Sequence, residues 1–155
     1  MTSEARLAKG ATWFYWVAAL SLVNALLAVS GQDWRLIMGL GITDILCYLP
    51  TVVTQSKELG VPEIAFIISG NVLVAAFVAA FGYFSLKRHI WVFVLGTILY
   101  LADAALLLIG KDWFSLAFHA YVLYLFFDGI KACFDLKAAA APAPPAPPAP
   151  PPAAP

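Results

Sequence analysis

Between Ala11 and Phe134 the chain is almost unbroken hydrocarbon side chain, interrupted by four short polar connections. This pattern narrows the possible folds more than any other feature. A helix crossing a bilayer needs about 20 mostly apolar residues. Five runs meet or approach that length, at about 11–30, 36–54, 62–86, 90–109 and 113–134. Backbone polar groups in hydrocarbon must pair within the segment or around a closed barrel, and these runs show no period-two alternation. The expected fold is therefore all-α: a polytopic membrane bundle of about five transmembrane helices over residues 1–137. Connections as short as Lys87–His89 and Gly110–Asp112 make neighbours in sequence antiparallel hairpins.

Composition agrees. Apolar residues make up 63% and charged residues 12%, against roughly half and a quarter in soluble domains. The charges lie between the runs, and the net charge of zero gives no basis for binding nucleic acid. Cys47 and Cys133 are too few for a disulfide framework and read as small packing residues. The first run has no small-residue cleavage site and reads as a retained helix.

Local signals fit the runs. Trp13, Trp16, Trp34, Trp91 and Trp113 fall near segment ends, as interfacial aromatics do. Pro62 opens the third run, where a missing N–H is harmless, and Asp33 and Asp112 stand where they can cap helices. Ala75, Ala76, Ala79 and Ala80 would admit a close neighbour. From Ala138 onward only alanine and proline remain, which predicts an extended, disordered tail reaching about 55 Å at 3.1 Å per residue.

Two cues disagree about the second run. Five full spans split the nine Lys and Arg residues four against five, which orients nothing. A second run that dips in and returns puts Arg6, Lys9, Lys87, Arg88, Lys131 and Lys137 on one side. Arg35, Lys57 and Lys111 are then on the other, a split closer to the positive-inside rule. Run two is also the weakest, with Gly39, Gly41, Asp44 and Pro50. Hydropathy favours five spans, and five is the expectation here because re-entrant backbone needs protein cover. Both schemes put the C-terminal tail in the cytoplasm.

Ionisable and amide side chains inside spans are functional candidates: Asp103, His119, Asp44, Asn24, Asn71 and Asp128. Asp103 lies eight positions before the Lys111 turn and His119 eight after it. In a hairpin they share a depth of about 12 Å and can meet, as a polar clamp or a proton relay. Asp128 points away from His119 on the helical wheel and pairs naturally with Lys131. Tyr48 stands one turn from Asp44. His89 and His119 differ in depth by about 20 Å, too far to share a haem. One Asp and one His are short of a metal site, so no cofactor or metal is expected, nor any catalytic residue.

Asn24-Ala25 and Gly31-x-Asp33-Trp34 align with Asp103-Ala104 and Gly110-x-Asp112-Trp113 at a spacing of 79 residues. With one helix between them, the copies would be inverted. The Trp13–Trp16 start, the Gly39–Thr43 run and the stretch from Asp112-Trp113 to Phe118-His119 resemble small multi-pass bacterial inner-membrane proteins, a likeness that carries no named activity. Length and helix count are also similar to the tryptophan-rich sensory protein (translocator) family, but its Trp- and Asn-containing motifs are absent.

The expected function is that of a non-enzymatic accessory or oligomeric subunit of the bacterial inner membrane. Its partners would be the lipid bilayer and a homo-oligomer or larger membrane complex. The alternative is a small proton-coupled transporter or permeation unit using Asp103, His119 and Asp44.

Overall fold

The computed structural model describes residues 1–31, 40–56 and 58–141. Five helices account for most of them: α1 (Ser3–Val29), α2 (Gly41–Thr54), α3 (Val61–Leu86), α4 (Ile90–Ile109) and α5 (Trp113–Ala139). No strand occurs among the described residues. Four of the helices are long and apolar enough to cross a membrane; α2, with 14 residues, is shorter.

The helix starts follow local chemistry. Thr2 Oγ1 accepts the Ala5 N–H at 3.3 Å, so α1 begins eight residues before the predicted run and carries Arg6 and Lys9 within it. Pro62 lies in the first turn of α3. Asp112 caps α5, accepting from Ser115 N at 3.1 Å and Ser115 Oγ at 2.7 Å. At its far end α5 runs on through Ala138 and Ala139, so the tail begins later than composition suggests. Residues 142–155, Asp33, Trp34, Arg35 and Lys57 lie outside the described residues, as do positions 36–39 of the second predicted span.

α1 is the central helix, packed against α3 and α5, with α4 closing the bundle against both of those. The α1–α5 crossing is tight because both helices present glycine. A Cβ on Gly129 would stand 2.7 Å from the Phe93 ring and 3.2 Å from Gly10 Cα. Around this crossing the core is aromatic. Phe14 stacks on Phe126 at 4.0 Å between centroids and meets Phe93 edge-on at 5.6 Å. Trp13 belongs here as well, 5.6 Å from Tyr121 and 6.0 Å from Phe118; it packs between helices, whereas Trp16, Trp91 and Trp113 are exposed.

The outside of the bundle is apolar and its inside partly polar. Leu73, Phe77, Ile98, Leu101 and Phe127 are exposed, whereas Ser21, Asn24, Thr43, Asn71, Thr97, Asp103, Ser115 and His119 are buried. Such a surface suits a hydrocarbon solvent, and Ser21, Thr43, Thr97, Asp103, Ser115 and His119 hydrogen-bond within the bundle.

Helix directions follow from the contacts. Gly82 of α3 approaches Ala11 of α1, and Ile67 packs with Ala25, so α1 and α3 are antiparallel. Arg6 reaches Asp128 and Asp135 of α5, and Arg88 reaches Glu4 at 2.7 Å. The start of α1, the α3–α4 turn and the end of α5 therefore form one charged end. The end of α1, the start of α3 and the α4–α5 turn form the other. α1 and α4 both begin at the charged end, so Asn24-Ala25 and Asp103-Ala104 lie on helices that run in the same direction and are not inverted; Asp33-Trp34 lies outside the described residues.

The short helix α2 departs most from the expected five spans. Its first residues touch Ser21 and Asp103, which stand about 9–12 Å along their helices from the opposite end at 1.5 Å per residue. Cys47 then packs with Ala25 and Ile67, and Leu59 packs on the same cluster. Helix α2 thus starts inside the bundle, and the chain continues to α3 at the end where α1 stopped.

Candidate functional site: a carboxylate at a buried helix start

The hairpin symmetry that predicts a meeting of Asp103 and His119 holds in three dimensions. His119 Nε2 lies 3.0 Å from Asp103 Oδ2. The ring is fully buried and Asp103 is 6% exposed. Nδ1 stands 2.9 Å from the Ser115 carbonyl oxygen. A carbonyl only accepts, so Nδ1 carries a hydrogen, and the Nε2–Asp103 contact is a hydrogen bond only with a second proton held between those two atoms. Tyr100, one turn before Asp103, lies flat on the imidazole at 4.4 Å with planes 7° apart.

Asp103 has a second task that local sequence does not announce. Gly41 N donates to Oδ2 at 2.8 Å and Ile42 N donates to Oδ1 at 2.9 Å. A helix start leaves its first N–H groups without intrahelical partners, and here that start is buried. The full set is satisfied: Leu40 N donates to Ser21 Oγ at 3.1 Å, and Thr43 N and Asp44 N donate to the Leu40 carbonyl. Thr43 Oγ1 donates to the same carbonyl at 2.6 Å. Gly41 allows the approach, since a Cβ would lie 3.2 Å from Leu107.

The other candidates are dispersed. Asp44 is half-buried in the first turn of α2. Asn24 is buried on α1, one turn past Ser21. Asn71 Nδ2 donates to the Ile67 carbonyl at 2.8 Å and approaches Cys47 Sγ at 3.7 Å, while its Oδ1 has no partner among the described residues. Asp128 sits near the charged end, and Arg6, not Lys131, is its partner: Nε lies 2.9 and 3.0 Å from the two carboxylate oxygens, and Nη2 also bonds Oδ1. The spacing rule that pairs Asp128 with Lys131 sees only one helix, and the guanidinium comes from another.

Among the described residues no three His, Cys, Asp or Glu side chains converge as metal ligands. The arrangement fastens four segments together. Residues that sequence reading passes over are Ser21, the Leu40–Ile42 backbone, Tyr100 and Arg6. Tyr100 was open to discovery, being three positions from Asp103 and so on its face. The rest act across long separations. Beside the cluster a groove of about 400 Å³ opens between α3 and α4, lined by Tyr100 and Asp103 and otherwise apolar. No family model, curated protein or solved structure matches the chain.

Proposed function

We propose that the protein is a non-enzymatic subunit of the bacterial inner membrane, working through helix packing in an oligomer or a larger membrane complex. The observation that carries this reading is the occupancy of Asp103. Two backbone N–H groups and an imidazole converge on its carboxyl group, as they would on a structural clamp. Orientation follows from charge. Arg6, Lys9, Lys87, Arg88, Lys131 and Lys137, six of nine Lys and Arg residues, belong to the charged end, so that end and the tail face the cytoplasm. In this reading the second segment is re-entrant. The test is purification in mild detergent with cross-linking and mass spectrometry of what travels with the chain. A specific stoichiometric assembly is expected, and a lone monomer at all concentrations overturns the proposal.

One observation favours the transporter reading: half-length helices that begin inside a bundle occur at the binding sites of secondary transporters. Proton flux into liposomes carrying the purified chain separates the two. The subunit reading predicts flux equal to empty liposomes; the transporter reading predicts flux that Asp103→Asn or His119→Gln removes.

A further inference from the structure

We propose that a proton latches α2: the start of the helix stays seated only while one hydrogen is held between His119 Nε2 and Asp103 Oδ2, and rising pH releases it. The inference rests on the clamp reading of Asp103 and adds its regulation.

The count of hydrogens carries it. His119 meets an oxygen on both sides of its ring, the Ser115 carbonyl at 2.9 Å and Asp103 Oδ2 at 3.0 Å. A carbonyl oxygen and a carboxylate oxygen both accept. Two hydrogens are therefore needed, one on Nδ1 and one between Nε2 and Oδ2, whereas a neutral imidazole beside a carboxylate supplies one. With only one, lone pairs face each other at Asp103 or at Ser115, whichever nitrogen keeps it. The ring is not free to turn away, being fully buried with Tyr100 flat on it at 4.4 Å. The carboxyl group of Asp103 moves instead, and its oxygens are the acceptors for Gly41 N–H and Ile42 N–H. Those groups have no intrahelical acceptor, so α2 loosens at its buried start. The released proton passes to water.

Among the described residues, the groups around the pair are Ser21 on α1, apolar Val74 and Val78 on α3, Tyr100 on α4 and Phe118 on α5. Of these only Tyr100 titrates, and a phenol keeps its proton up to about pH 10. The first carboxyl group along α2 is Asp44, and Lys111 and Asp112 lie about 12 Å away at the α4–α5 turn.

The reporter is Cys47, buried on α2, in the full chain carrying Cys133→Ala in phosphatidylcholine nanodiscs. Its maleimide labelling rate at each pH is divided by that of the same chain unfolded in dodecyl sulfate, which cancels the ionisation of the thiol itself. Aspartate and histidine in water hold no shared proton above about pH 7. Protection of Cys47 should therefore fall about tenfold per pH unit between about pH 7 and about pH 9, the slope for one proton. His119→Gln offers Asp103 an N–H that does not titrate and should abolish the slope; Asp44→Asn should keep it. The proposal fails if the parent is flat across the range, if His119→Gln keeps the slope, or if Asp44→Asn removes it. Should His119→Gln not fold, the parent and Asp44→Asn decide. Failure of the clamp reading looks different: Asp103→Asn then labels as slowly as the parent at the lowest pH.

Discussion

Gly41 presents its backbone N–H to the carboxylate of Asp103 at 2.8 Å, across 62 positions of sequence. The contact joins α2 to α4 at the level where Asp103 also meets His119. It explains how a helix can begin away from both ends of the bundle. An unsatisfied N–H in such surroundings costs several kcal/mol, and a single carboxylate removes two of them.

Asp103→Asn tests this directly. The amide keeps one acceptor oxygen and puts an NH₂ group against the second backbone N–H. Removing one partner from a buried charged network destabilises by about 3–5 kcal/mol, and release of α2 should come first. Cys47, buried on α2, reports it: in a Cys133→Ala background its maleimide labelling should rise at least tenfold in Asp103→Asn. Unchanged labelling together with an unchanged melting temperature would show that α2 is held by apolar packing alone.

The path of the second segment gives a sharper prediction. Ser30 and Glu58, both exposed, flank it, and in the structure they follow α1 and precede α3 at the same end. With the charged end facing the cytoplasm as proposed, single cysteines at Ser30 and Glu58, with Cys47→Ala and Cys133→Ala, should both react with an impermeant maleimide from outside the cell. A cysteine at Ala141 should react only after permeabilisation. Opposite accessibility of positions 30 and 58 would restore a complete fifth crossing.

At the α1–α5 crossing, Gly129→Ala sets a methyl group 2.7 Å from the Phe93 ring, closer than carbon atoms approach. Overpacking of this kind costs about 1–3 kcal/mol. Because the nearest obstacle is the Phe93 ring, with the Gly10 backbone at 3.2 Å behind it, Phe93→Leu should be less harmful in the Gly129→Ala background than alone. A double-mutant cycle by thermal unfolding in detergent measures the coupling, and strict additivity would mean that the helices separate instead of the ring moving.

What the sequence revealed divides by distance along the chain. The Asp103–His119 contact was legible because a three-residue turn makes depth a matter of counting, and Asp112 was legible as a cap because its partner is three residues away. The Arg6–Asp128 pair was not: its members lie 122 positions apart, and nothing local to Asp128 favours Arg6 over Lys131. The start of α2 was hidden for a related reason. Hydropathy counts apolar residues without seeing that backbone N–H groups at Leu40, Gly41 and Ile42 find acceptors on α1 and α4, and those acceptors are what allow a helix to start there. The charge distribution did register the consequence, since six cations gather at one end only if the second segment returns.

Asn71 provides the converse of Asp103. It is fully buried, its Nδ2 bonds only to its own helix and weakly to Cys47, and its Oδ1 has no partner among the described residues. An unsatisfied buried acceptor is unfavourable by about 1–3 kcal/mol, and replacing such a group by an apolar one of similar shape is neutral or stabilising. Asn71→Leu should therefore hold or raise the melting temperature, in contrast to the loss at Asp103. If Asn71→Leu destabilises as strongly as Asp103→Asn while leaving expression intact, its amide must hold a bound molecule or a neighbouring chain, and oligomer analysis of that variant would distinguish the two.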